Sequence, residues 1–156
     1  MKVDHINPFI AAAVSVLRTV LRVEPERGSV SARPCMFTTK QCNVLTGIAG
    51  AVEGQVIYGM SLITADRIAT QMLGRPVVTF DQMAASAVAE LGNMITGNAA
   101  TLLAEAGVRT TITPPTILRG TNVRVSTLDI PALAIPLTLG ELGEFELTVS
   151  LREYEP

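Results

Sequence analysis

The segment from Asp81 to Gly107 constrains the fold more than any other part of the chain. Asp81 can accept from free first-turn amides, and Gly107 can take the left-handed conformation that closes a helix. The spacing predicts one helix from Asp81 to about Ala106, about 40 Å long at roughly 1.5 Å per residue. Projected at about 100° per residue, Ala84, Val88, Leu91, Ile95, Ala99, Leu102 and Ala106 form a core stripe. The opposite stripe carries Gln82, Ser86, Ala89, Glu90, Asn93, Gly97, Ala100, Thr101 and Ala104, with little bulk around Glu90 and Asn93.

At 156 residues the chain fits one domain, able to bury roughly two thirds of its unfolded surface. It is 48% hydrophobic and 17% charged, with no Trp, so the core is aliphatic and the chain is not disordered. A net charge of −2, a pI near 5.4 and no Lys/Arg cluster argue against a nucleic-acid or membrane surface and for a protein or small-molecule partner. Cys35 and Cys42 match no zinc or redox spacing and are expected as buried free thiols, compatible with a reducing cytoplasm. His5 is the only histidine, and neither a His-based metal site nor a Ser/His/Asp triad is expected. The apolar run from Phe9 to Leu17 is bounded by charges and fits a buried amphipathic helix. No segment reaches the roughly 20 apolar residues that a membrane span needs. The expectation is a soluble, cytoplasmic protein.

Asn7-Pro8 is a helix-start signal, and the periodicity predicts a first helix from about Pro8 to Arg22, buried through Ile10, Val14, Leu17 and Leu21. Strands are expected over Ala32 to Thr39, Asn43 to Ala51 and Gly54 to Leu62, the last two joined by a tight turn. A shorter helix follows from Thr64 to Leu73, ended by Gly74. After the long helix come strands from Arg109 to Leu118, Pro131 to Leu139 and Glu144 to Glu153. In the last, Phe145, Leu147, Val149 and Leu151 alternate with Glu144, Glu146, Thr148, Ser150 and Arg152, predicting one buried and one wet face. Pro131 and Pro136 cannot donate to a ladder, so their strand should be at an edge or interrupted. The order reads as a weak internal repeat of two halves, about 8–74 and 81–153. The expected fold is α/β (α+β): a single domain over 1–156 with a mostly antiparallel sheet of about six strands, two long helices on one face and a shorter helix.

Glu90 and Asn93 are three residues apart, so on a helix they point the same way and can enter one partner site together. A carboxylate beside a water-orienting amide suits assisted hydrolysis. Gly92 and Gly97 each cost a helix interior about 1 kcal/mol relative to Ala. Gly97 lies on the Glu90 stripe and would let another backbone approach; Gly92 points sideways, toward packing with a neighbouring helix. The pair alone also fits a wet margin on a helix whose small stripe packs against helix one.

The surroundings of the pair carry more. Ser86-x-x-x-Glu90-x-x-Asn93 is followed after a helix-length gap by Ile112-Thr113-Pro114-Pro115-Thr116. This combination resembles the signature of the CheC/CheX/FliY family of response-regulator phosphatases. Glu90-Leu91-Gly92-Asn93-Met94 and the Asn7-Pro8-Phe9-Ile10 opening resemble the CheX branch in particular. The resemblance implies a pseudo-two-fold fold, a homodimer, and phosphorylated CheY or a similar regulator as substrate. Helix one offers Ser15, Thr19 and Arg22 at the same spacing, so one active site per chain is implied. The family proline falls at Pro114 or Pro115, with Pro115 favoured. By this analogy Asn93 orients the attacking water and Glu90 pairs with the regulator's active-site lysine, while Ser86, Gly97 and Pro115 contact the partner. No cofactor of its own is implied, Mg²⁺ being held by the regulator's acidic residues.

Two competing functions share the same residues. A non-catalytic regulator-binding or flagellar-switch-like module would bind the phosphorylated partner without shortening its lifetime. A small-molecule enzyme with Glu90 as general base wants an enclosed pocket, which a face of Ala and Gly does not suggest.

Overall fold

A computed structural model describes residues 1–156. In chain order it contains α1 (Val3–Leu21), β1 (Glu26–Arg27), β2 (Ser31–Arg33), β3 (Met36–Thr38), β4 (Cys42–Gly50), β5 (Val52–Met60), α2 (Leu62–Leu73) and α3 (Gln82–Glu105). Then follow β6 (Thr110–Ile112), β7 (Thr116–Arg119), β8 (Arg124–Ser126), β9 (Ala132–Thr138) and β10 (Glu144–Glu153). The architecture is a single α+β domain. The antiparallel sheet runs β1-β9-β10-β5-β4-β6, with β2 also on β9 and β7 also on β4. It has eight strands yet is six positions wide, because each edge is built from two short pieces.

Those pieces are where the strand expectations need correction. The strand expected over Ala32 to Thr39 divides at Pro34: β2 pairs with β9, whereas β3 pairs with β8 in a separate two-stranded ribbon. The strand expected over Arg109 to Leu118 divides at Pro114-Pro115 into β6 and β7, both on β4. Proline has no N–H to give a ladder, so each run breaks where it occurs. β9 is one position in from the edge, and it is the outer strand that is interrupted opposite Pro136. There Gly28 N donates to Pro136 O at 2.9 Å.

The helices follow their local signals with shifted ends. α1 begins at Val3, so Asn7 is not its cap and Pro8 lies inside the helix. Its buried face is Ile6, Phe9, Ala12, Ala13, Val16, Leu17 and Leu21, which leaves Ile10 and Val14 half-buried. α2 is capped by Ser61, whose Oγ accepts from Thr64 N, and ends at Gly74 with φ 67°. The tight turn between β4 and β5 is at Gly50–Ala51, slightly earlier than expected.

One face of the sheet meets the helices across an apolar core that includes Phe9, Leu17, Val44, Tyr58, Leu91, Ile95, Leu103, Phe145, Leu147 and Val149. The alternation along β10 holds on this side. On the other side it does not: Thr148 and Ser150 are buried rather than wet. The β3–β8 ribbon lies over that face, with Phe37 and Ile57 lining one small cavity with Glu146 and Thr148, and Ser150 Oγ donating to Ile130 O at 3.2 Å. Beneath the ribbon Arg33 pairs with Glu146, and its guanidinium lies over the Phe37 ring. Cys42 is a buried free thiol, while Cys35 is only half-buried beside Ile130.

Candidate active site on helix α3

Asp81 Oδ1 accepts from Ala84 N at 2.9 Å, the expected cap, and Gly107 beyond the last turn has φ 85°. Two contacts set the rotation of α3 on the sheet. Thr96 Oγ1 is 2.6 Å from Tyr58 OH and 2.8 Å from Thr46 Oγ1, a buried hydroxyl trio in which every oxygen has a partner, as an apolar interior requires. Four residues earlier, a Cβ on Gly92 would be 2.6 Å from Val44 Cγ1 and 3.2 Å from the Tyr58 ring. Gly92 is therefore a close approach of helix to strand β4, not a helix–helix contact, and it offsets its propensity cost by letting the rod sit low on the sheet.

With that side fixed, the opposite side faces out. Ser86 and Glu90 are exposed, Asn93 and Gly97 half-buried. Glu90 and Asn93 are thus neither sealed inside nor turned apart. The side-chain hydrogen bonds of α3 are made by Met83, Thr96 and Thr101 and leave Ser86, Glu90 and Asn93 free. On the buried side Leu103, not Leu102 or Ala106, ends the stripe: Leu102 is half-buried and Ala106 exposed. Gly97 is not forced by its own chain, since its nearest neighbour to an added Cβ is Ile112 Cδ1 at 3.9 Å.

Pro115 reaches the same neighbourhood from the sheet edge. Arg119 Nη1 donates to Phe80 O at 2.9 Å just before α3, and Ile112 lies beside Gly97. The edge β7–β6 therefore runs along α3 in the opposite sense, with its Pro114–Pro115 break alongside the middle of the helix. Thr113 bridges the break: Gly47 N donates to Thr113 Oγ1 at 2.8 Å and Thr113 N to Gly47 O at 3.0 Å. Pro115 is half-buried and Pro114 exposed.

A further signal was present in the sequence and escaped the periodicity argument. Glu90 is the only charged residue between Asp81 and Glu105. A helix face kept in water ordinarily carries several charges, and depletion of charge marks the centre of a protein–protein contact.

Comparison with known proteins agrees with this architecture. Residues 42–138 match the family model of the chemotaxis phosphatase CheX. The chain belongs to the CheX family. It is 30% identical over 148 residues to the CheY-P phosphatase CheX of Thermotoga maritima, covering 94% of this chain and 95% of that one. Among solved structures it resembles CheX in a CheX–CheY–BeF3–Mg2+ complex from Borrelia burgdorferi, with 34% identity, a TM-score of 0.84, and 97% and 100% of the two chains covered. It also resembles a CheX from Desulfovibrio desulfuricans at 25% identity and a TM-score of 0.85, over 97% and 100% of the chains. Thermotoga maritima FliY, at 20% identity, a TM-score of 0.66 and 91% and 84% coverage, shares the fold. No helix in this CheX-family chain is long and apolar enough to cross a membrane.

Proposed function

We propose that the chain accelerates hydrolysis of the phosphoaspartate on a CheY-like response regulator, with Asn93 orienting the attacking water and Glu90 pairing with the regulator's active-site lysine. The observation that carries this is the pair itself: an unengaged amide and carboxylate, side by side on the outer face of a helix held rigidly on the sheet. Family membership supports it, as does a relative solved with CheY, BeF3 and Mg²⁺.

The chemistry asks little of the protein. An aspartyl phosphate is an activated acyl phosphate. Water oxygen attacks phosphorus, the bond from phosphorus to the aspartyl oxygen breaks, the carboxylate leaves with the electron pair, and both water protons end on the released phosphate. Catalysis is then mainly placing water in line and balancing charge. The Asn93 amide oxygen accepts from the water while its NH₂ donates toward the phosphoryl oxygens. Glu90 supplies register through its ion pair, and Mg²⁺ sits among the regulator's own carboxylates. Ser86, Gly97 and Pro115 line the approach on either side of the pair. With no matching pair on α1, each chain has one site, the halves 8–74 and 81–153 being read as pseudo-repeats with unequal surfaces. The family resemblance, not the phosphatase chemistry, is the ground on which we also propose a cytoplasmic homodimer.

The test is inorganic phosphate release from a purified phosphorylated CheY-type receiver, with this protein, without it, and with two alanine variants. Removing one preorganised donor typically costs roughly 3 to 4 kcal/mol in the barrier. Asn93→Ala is expected to lose most of the stimulated release with folding intact, and Glu90→Ala to weaken productive docking. Release unchanged in both variants refutes the assignment; binding of the phosphorylated receiver with no faster release makes the protein a binding module.

A further inference from the structure

The outer face of α3, on which Glu90 is the only charge before Glu105, extends beyond the Glu90–Asn93 pair toward the helix N-terminus. Met83 lies seven residues before Glu90, and a helix drifts only about 20° per seven residues, so the two side chains stand on one line about 10 Å apart. Met83 is 53% exposed, and Val78 in the segment leading into α3 is 93% exposed. Arg75 Nη2 is 2.7 Å from Met83 Sδ, which holds this flexible side chain against that segment.

The face is therefore uneven in a definite way. Around the pair it is mostly Ser, Ala and Gly, side chains too short to grip a partner, with Met94 half-buried against the core, and at one end a long apolar side chain projects. A body seated over Glu90 comes close to the helix backbone at the centre and meets Met83 at its margin. In doubly wound folds the functional crevice lies at the carboxyl ends of the strands, ringed by βα loops. A side chain about 10 Å along the rod from the one in the crevice meets that ring of loops and not the crevice floor.

Resting on the phosphatase reading above, we propose that Met83, with Val78 beside the helix start, is a docking anchor for the phosphorylated receiver domain, packing on an apolar side chain in the βα loops at the rim of its phosphoryl pocket. Methionine suits such a contact, since its unbranched thioether adapts to irregular apolar surfaces. The continuity with the pair favours the receiver as the occupant, and between Met83 and Asn93 the helix itself carries no charge except Glu90, as the centre of a protein contact does.

The experiment separates docking from chemistry. Titration calorimetry measures binding of a purified CheY-type receiver in its BeF3/Mg²⁺ form, where nothing turns over. Met83→Ala is expected to weaken binding about five- to tenfold, the loss typical of an anchor residue, and Met83→Leu to recover most of it. Leu128→Ala, exposed just past β8 on the ribbon, leaves binding as in wild type. In the phosphate-release assay Met83→Ala raises KM by the same factor and holds kcat within about twofold. Wild-type affinity and KM in Met83→Ala overturn the anchor while the role of Asn93 stands. Wild-type kcat in Asn93→Ala and Glu90→Ala overturns the catalytic reading, and the calorimetry still decides whether Met83 docks the receiver. A wild-type chain that does not bind the receiver overturns both.

Discussion

Helices α1 and α3 pack against each other on one face of the sheet, and their outer sides differ in kind. α1 presents Ser15, Arg18 and Thr19 to water, with Arg18 bonded to Glu24, a solvated surface of the ordinary sort. α3 presents Met83, Ser86, Glu90 and half-buried Asn93, with Glu90 its only charge before the terminal Glu105. Their inner sides differ as well. α1 is buried through aliphatic residues and Phe9, apart from His5, whereas α3 is pinned by the Thr96 hydroxyl trio and by the backbone contact at Gly92. A helix that must present two side chains to a foreign site needs its rotation set, and directional hydrogen bonds and a close backbone contact set rotation better than aliphatic packing alone.

The contrast breaks most plainly at the outer faces. Asn93→Ala is expected to reduce stimulated phosphate release by roughly 10²- to 10³-fold, whereas alanine at Ser15 and Thr19 leaves it unchanged. A comparable loss from the α1 variants in the same assay abolishes the distinction between the helices.

The inner faces can be sharpened by pH. Burial pushes the Cys42 thiol up to about 11 and raises Tyr58 above its ordinary range, against the hydrogen bond to Thr96 that lowers it. In the unfolded chain these groups release their protons at their ordinary values of 9.0 and 10.0. Above about pH 9 the unfolded state thus binds fewer protons than the folded one, and stability falls as pH rises. Discounted for solvent screening, the Cys42 share is on the order of 1 to 2 kcal/mol at full ionisation. Urea melts between pH 8 and 11 should show a decline that Cys42→Ala makes shallower.

The two glycines of α3 provide the smallest and cleanest comparison. Gly92→Ala pushes a methyl into buried Val44 and is expected to destabilise by about 1 to 2 kcal/mol, overpacking exceeding the helix gain. Gly97→Ala meets only Ile112 at ordinary contact distance and is expected to stabilise by about 0.5 to 1 kcal/mol. Thermal melts giving both variants the same sign would remove the assigned difference between inner and outer glycines.

Much of this was legible in consecutive residues. Asp81, Gly74 and Gly107 announce helix ends because caps act within a turn, and Glu90 with Asn93 announces a shared face because three residues make most of one revolution. The alternation of Phe145, Leu147, Val149 and Leu151 announces a core face for the same reason. Less legible was the other face of β10. Thr148 and Ser150 read as wet because they are polar, and are buried because the ribbon formed by β3 and β8, far apart in sequence, closes over them. Gly92 likewise looked like a helix–helix contact until the position of Val44 was known.

What the residue order decided by itself is therefore the helical rod, its caps and the orientation of Glu90 and Asn93 relative to each other, since these depend on bonds and torsions among near neighbours. Only the tertiary structure decided how closely the rod approaches strand β4 at Gly92, where proline splits each sheet edge into two strands, and that the Pro114–Pro115 break comes to lie along the rod. Those depend on contacts between segments tens of residues apart, and no local period encodes which distant strand will supply the partner.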